Sequence, residues 1–244
     1  MESSPVEKEK FTRRPKLDKN KGKKENFIQR KLKFIISTLN VQTLPSVLKK
    51  QELAHHAKTH GIDVICIQEH RIVHSEILLQ EKINGYTLLT SSAWKNDINA
   101  ATGGVGFLLS YRAVKSITSI KSHNQRVIEL TQDGNPKTTI LSCYSPHNNY
   151  PEDSIKSFYH DIFAILDTIP AHNFLLLGGD YNAQLGPEDA RFIYSTETNR
   201  NDTYLKDFML QYNLIATNTA LCYRKNRLWT HKKRMAKKRN LTAS

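Results

Sequence analysis

A chain of 244 residues that is 39% hydrophobic and 24% charged can bury one sizeable core, which excludes a disordered or fibrous protein. Its formal net charge of +13 sits at the ends: twelve basic against five acidic residues in 1–33, nine against none in 223–244, and fifteen against eighteen between them. No apolar run approaches the roughly 18 residues of a membrane span, and the start lacks a secretory segment; with three scattered cysteines (Cys66, Cys143, Cys222) that suggest reduced thiols, a nuclear or cytoplasmic protein is expected.

Residues 1–32 are rich in Lys, Glu, Arg and Asn with few apolar side chains, the composition of a disordered tail. Such a basic arm either grips phosphates or is merely solvated or read as an import signal. Order is expected from the β-branched run Phe34 to Leu39. A helix over Val47 to His60 follows, ended by Gly61, and then a strand over Ile62 to Gln68. Strand, helix and strand in about 35 residues read as a βαβ-like unit, with Asn40 and Glu69 just past the carboxyl ends of its strands. Strands are expected over Tyr86–Ser92, Gly103–Ser110, Val114–Ile120, Arg126–Thr131 and Lys137–Tyr144, with a turn at Asp133-Gly134-Asn135-Pro136. Ile155, Phe158, Tyr159, Ile162, Ile165, Leu166 and Ile169 recur at spacings of three and four, the stripe of an amphipathic helix entered through Pro151. Asn173 to Gly178 is a buried type of strand; a helix near Asp202 to Tyr212 and a strand over Leu214 to Thr217 complete the series, before a basic tail at 231–244.

Three motifs follow strands and carry chemistry. Ile65-Cys66-Ile67-Gln68-Glu69 sets a carboxylate at the end of an apolar strand, within reach of a hard cation. Gly178-Gly179-Asp180-Tyr181-Asn182 sets an acid and an amide two residues apart, on one face if the segment is extended. Tyr144-Ser145-Pro146-His147-Asn148 offers a phenol, an imidazole and an amide for phosphate oxygens. Each alone fits an ordinary strand end or loop. Gly103-Gly104-Val105-Gly106 lacks the Gly-Lys-Ser of a phosphate-cradling loop, and close packing accounts for it better.

Jointly, Asn40, Gln68-Glu69, Tyr144-x-Pro146 and Gly179-Asp180-x-Asn182 resemble the exonuclease-endonuclease-phosphatase superfamily. Leu39-Asn40-Val41-Gln42-Thr43-Leu44, Gln68-Glu69-His70-Arg71 and Leu228-Trp229-Thr230 narrow the resemblance to endonuclease domains of non-LTR retrotransposons, over roughly residues 33–230. The resemblance implies a four-layer α/β sandwich of the deoxyribonuclease I-like kind, with two mixed β-sheets packed face to face between helices. It also implies a Mg²⁺-dependent endonuclease (Mn²⁺ being the alternative ion) that nicks DNA, reached through its phosphate backbone, beside a reverse transcriptase encoded downstream. In that family Glu69 holds the metal, and Asp180 orients or deprotonates the attacking water. Asn182 and Asn40 bind the scissile phosphate and position Asp180; Tyr144, His147 and Asn148 contact phosphate, and Thr230 borders the nucleic-acid groove. The family pattern ends in further strands and a Ser-Asp-His motif that this sequence lacks, since no Asp or Glu follows Asp207. The expectation is an incomplete domain, missing its last strands and impaired in catalysis. A binding remnant without activity, or another phosphodiesterase or phosphatase of the superfamily, are the alternatives.

Overall fold

The computed structural model describes residues 33–189, 192–193 and 197–220. Along the chain run β1 (Ile36–Asn40), α1 (Val47–Thr59), β2 (Val64–Gln68), β3 (Leu79–Ile83), β4 (Tyr86–Thr90), β5 (Trp94–Lys95), β6 (Ala101–Thr102) and β7 (Val105–Leu109). There follow α2 (Tyr111–Lys115), β8 (Ile117–Asn124), β9 (Val127–Gln132), β10 (Thr138–Tyr144), α3 (Glu152–Asp167), β11 (Phe174–Asp180), α4 (Arg200–Gln211) and α5 (Thr217–Ala220). The strands build one sheet in the order β1-β2-β7-β4-β3 and another in the order β11-β10-β9-β8, while β5 and β6 form a separate hairpin. Each large sheet is mixed: β1 with β2 and β10 with β11 are parallel, and the other pairs are antiparallel.

Burial explains the stacking. Val64, Cys66, Val105, Phe107 and Leu109 of the first sheet meet Ile128, Leu130 and Ile140 of the second in one core between the sheets. The outer face of the first sheet, through Ile65, Ile67, Leu88 and Leu108, takes α1, whose small Ala54 and Ala57 let the helix approach closely. The outer face of the second, through Val127, Leu141 and Cys143, takes the α3 stripe of Ile155, Phe158, Tyr159, Ile162, Ile165 and Leu166, together with Phe208 of α4. Helix, sheet, sheet and helix are the four layers expected. Each large α3 side chain so covered contributes about 1.5–3 kcal/mol. The α1 stripe is weaker, and its start is fixed by Ser46, whose Oγ accepts from Lys49 N at 3.2 Å.

Three expectations need correction. The strand expected from Val114 starts only at Ile117, because Val114 and Lys115 end a helical turn over Tyr111–Lys115 that the Ser110 side chain caps by accepting from Ala113 N at 3.1 Å. Residues 214–216 hold no strand, and Thr217–Ala220 is helical; Leu214 instead packs beside the α3 and α4 aromatics, its N–H donating back to Met209 at 2.8 Å. The strand at 173–178 runs on through Asp180, in parallel register with β10 so that Tyr144 lies opposite Asp180. The two tails, Cys222, Trp229 and Thr230 lie outside the described residues.

The sheets come closest where they carry the site. A Cβ on Gly178 would stand 2.6 Å from the Cys66 Sγ, so no side chain fits there without displacement. Two residues beyond Cys66, Gln68 bridges the layers: its Nε2 donates to Ser142 Oγ at 3.1 Å, while its Oε1 accepts from Thr38 at 3.2 Å. Ser142 in turn donates to the Ile67 carbonyl at 3.1 Å. This buried polar chain locks the ends of β2 and β10 together directly beneath Glu69.

Candidate active site

The parallel pairs place four chain ends at one edge of the sandwich: Asn40 beside Gln68 in the first sheet, Tyr144 beside Asp180 in the second. The Asn40 amide nitrogen then spans the sheets, donating to Glu69 Oε1 and to Asp180 Oδ2, each at 2.9 Å. Two carboxylates 111 positions apart in sequence therefore share one nitrogen. The Asn40 carbonyl oxygen accepts from Gln42 N at 3.0 Å, which fixes the amide's orientation.

Glu69 receives two further donors, the Tyr144 hydroxyl at 2.7 Å on Oε1 and the Arg71 guanidinium at 3.0 Å on Oε2. Burial raises its carboxyl pKa, but the bonds from Asn40, Tyr144 and Arg71 outweigh that and hold it below the usual carboxylate range. Burial, and then the Glu69 carboxylate beside it, push the Tyr144 phenol the other way, well above its ordinary value, so it stays a donor. Behind the phenol, the Arg126 guanidinium lies 4.4 Å from the Trp94 ring centroid and donates to the Tyr144 carbonyl at 3.2 Å. Burial lowers the Arg126 pKa.

Asp180 and Asn182 do not share a face of an extended segment, as their spacing suggests. Asn182 has φ +48°, and the chain turns so that its N–H donates to Asp180 Oδ1 at 3.0 Å while its side-chain amide donates to the Ser145 carbonyl at 2.8 Å. Glu69 (φ +54°), Gln42 (φ +55°) and Arg71 (φ +57°) are also left-handed, so four of the seven such non-glycine residues among the described ones cluster at this cleft. Each costs on the order of 1–3 kcal/mol and persists only where surrounding bonds over-determine it.

Of the residues singled out from sequence, Asn40, Glu69, Tyr144, Asp180 and Asn182 come together. His147 and Asn148 lie exposed on the same rim, outside this bonded group; the His147 ring packs edge-on to Tyr150 at 4.5 Å, its Nδ1 accepting from Asn149 N. Thr230 falls outside the described residues. Sequence reading quoted Arg71 within a motif without a role and gave none to Arg126, Asn199 and Asn201. The last two donate to the Asn182 carbonyl at 3.0 and 3.2 Å, and only their position at a helix start distinguished them.

The donor set suits a hard cation. Two carboxylates meet at this edge and already draw one positive group, the partly exposed Arg71, onto Glu69 Oε2. Among the described residues no group of three or more His, Cys, Asp or Glu could enclose a metal. The carboxylate oxygens of Glu69 and Asp180 are hard donors, of the kind an ion such as Mg²⁺ takes one or two of while keeping its waters.

The model of the endonuclease/exonuclease/phosphatase family matches residues 37–230. Craniofacial development protein 2 of Bos taurus is 27% identical over 133 residues, a match covering 52% of this chain and 22% of that protein, and that of Tragulus javanicus is alike at 27%. The chain thus spans less than a quarter of the curated relatives it matches. Among solved structures, an AP endonuclease from Leishmania major superposes with a TM-score of 0.53 at 15% identity, covering 79% of this chain and 75% of that one. A 3′ phosphatase from Neisseria bound to a product DNA hairpin gives 0.52 at 14%, with 72% and 70% covered. At such identities the superpositions speak for the fold.

Proposed function

Because the chain belongs to the endonuclease/exonuclease/phosphatase family, we propose that it hydrolyses phosphodiester bonds of DNA at the Glu69–Asp180 cleft with Mg²⁺, Mn²⁺ being the alternative ion. The observation that carries this reading is the Asn40 amide bonded to both carboxylates across the two sheets. In this reading Glu69 holds the ion, which supplies positive charge to the phosphate and to the leaving oxygen. Asp180 accepts the proton of the attacking water at one carboxylate oxygen. Asn40 orients Asp180 by donating to its Oδ2. Asn182 holds the other oxygen through its N–H. The Tyr144 hydroxyl steadies Glu69, and His147 and Asn148 reach the phosphate backbone from the rim. DNA as substrate is supported by the Neisseria structure's bound hairpin.

The finer reading is a nicking endonuclease of non-LTR retrotransposon descent, which would work beside a reverse transcriptase; the segments at Leu39–Leu44, Gln68–Arg71 and Tyr144–Asn148 support it. The test is conversion of supercoiled plasmid to nicked circles in Mg²⁺. Nicking abolished by EDTA and by Asp180→Asn supports the proposal. Salt-sensitive binding with no cleavage above the Asp180→Asn background assigns the chain to nucleic-acid binding instead.

A further inference from the structure

The cleft residues are held from a direction that the reaction does not require. Asn199, Arg200 and Asn201 are consecutive, at the cap and first turn of α4, and all three reach out of the helix to the loops that carry the site. Asn199 Oδ1 caps α4 by accepting from Asp202 N at 3.1 Å, while its Nδ2 donates to the Asn182 carbonyl at 3.0 Å. Asn201, fully buried, donates from Nδ2 to that same carbonyl at 3.2 Å and to the Pro146 carbonyl at 2.8 Å. Arg200 donates to the carbonyls of Asn148 at 2.8 Å and Tyr150 at 2.6 Å. The two loops are themselves joined by Ser145 N to the Asp180 carbonyl at 2.9 Å and by Asn182 Nδ2 to the Ser145 carbonyl at 2.8 Å. The helix start therefore closes a ring of bonds through residues 145, 146, 182 and 201.

We propose that Asn199 and Asn201 are positioning residues that latch Asn182 in its left-handed conformation, and through it orient Asp180, an inference resting on the hydrolytic reading above. Asn182 at φ +48° offers its N–H to Asp180 Oδ1 and its carbonyl to both latch amides at once. Without the latch the Asn182 carbonyl loses both donors, and once the Tyr181–Asn182 peptide is free to shift, Asp180 loses one of the two donors that fix its carboxylate. Residue chemistry separates the latch from an ordinary cap. Aspartate caps a helix as well as asparagine does, but it has no hydrogen to give to the Asn182 carbonyl. The latch has a firm base, since α4 is anchored by Phe208, which is 1% exposed among Tyr159, Phe163 and Tyr212, and by Lys206, paired with Asp202 at 2.9 Å and Asp189 at 2.8 Å.

Two variants of the full chain, Asn199→Asp and Asn201→Ala, test this by amide hydrogen exchange and by plasmid nicking. The expected result is exchange about tenfold faster at the Asn182 and Ser145 amides with Leu141 in β10 unchanged, because the opening is local. Alongside it, kcat should fall about 10- to 100-fold with little change in KM, as for a misplaced catalytic group. The thermal midpoint of Asn199→Asp should match the parent, since the cap survives. Unchanged exchange at Asn182 and Ser145, or a rise spread over the whole chain in both variants, overturns the latch. If the parent chain does not cleave at all, the hydrolytic reading fails while the exchange data still decide the latch.

Discussion

Replacing Tyr144 with Phe removes a single hydroxyl whose role can be isolated. That hydroxyl donates to Glu69 Oε1 at 2.7 Å, and the carboxylate keeps its bonds from Asn40 and Arg71. A hydrogen bond to a charged acceptor contributes about 1.5–3 kcal/mol, and the lower end applies to a carboxylate at a cleft mouth with two donors left. About 1.5 kcal/mol corresponds to roughly a tenfold change in proton affinity, so the Glu69 midpoint should climb by about one pH unit. The sign follows from linkage. Glu69 is held below its ordinary range in the folded chain, so its contribution is full above the unfolded carboxyl value and is lost as pH falls through the folded one. Urea unfolding of metal-free protein in EDTA from pH 8 to pH 3 should show Tyr144→Phe less stable by about 1.5 kcal/mol at neutral pH, the gap narrowing in acid. A gap constant across that range would refute the claim that the phenol keeps Glu69 charged.

Removing the guanidinium in Arg71→Ala leaves Glu69 Oε2 without its resident cation, so Mn²⁺ followed by electron paramagnetic resonance should bind about fivefold more tightly, the equivalent of roughly 1 kcal/mol for one partly exposed charge; weaker binding would place Arg71 on the side of the metal rather than against it. Gly178→Val forces a branched side chain against Cys66, whose Sγ stands 2.6 Å from the ideal Cβ. Overpacking of about 1–3 kcal/mol should lower the thermal midpoint by several degrees, and an unchanged melt would contradict the close approach of the sheets. His70 is fully buried, accepts from Ile72 N at 3.0 Å and has its pKa pushed down to about 4 by burial. Its unfolded form takes a proton first, so stability should drop as pH falls from about 6.5 toward 4, by up to about 3 kcal/mol, and the slope should flatten in His70→Gln.

Much of this architecture is legible in the sequence because periodicity survives burial. The α3 stripe and the apolar β2 run could point to nothing else, and the βαβ-like start put Asn40 and Glu69 at adjacent strand ends. The hairpin of β3 and β4 was passed over although Asn84-Gly85, with φ +48° and +85°, is a strong two-residue turn signal; Leu79–Ile83 is half polar and reads as loop when taken alone. At Val114 and Lys115 a helical turn capped by Ser110 displaced the expected start of a strand. The site's identities were legible as motifs, but not the means of bringing them together. Asp180 and Asn182 meet through a turn that extended spacing does not foresee, and the α4 latch joins segments by side chain to backbone bonds, which leave no periodic trace. Glycines 103 and 104 proved to be packing devices, with a Cβ at Gly104 falling 2.5 Å from the His70 ring.

Whether Glu69 and Asp180 act as one unit is best decided by single-turnover cleavage of a DNA duplex in Mg²⁺ by the parent, Glu69→Gln, Asp180→Asn and the double variant. Groups that serve the same transition state are not additive. The double variant should cleave about as slowly as the worse single variant. Losses that multiply independently, or single variants as fast as the parent, would contradict a shared catalytic cleft.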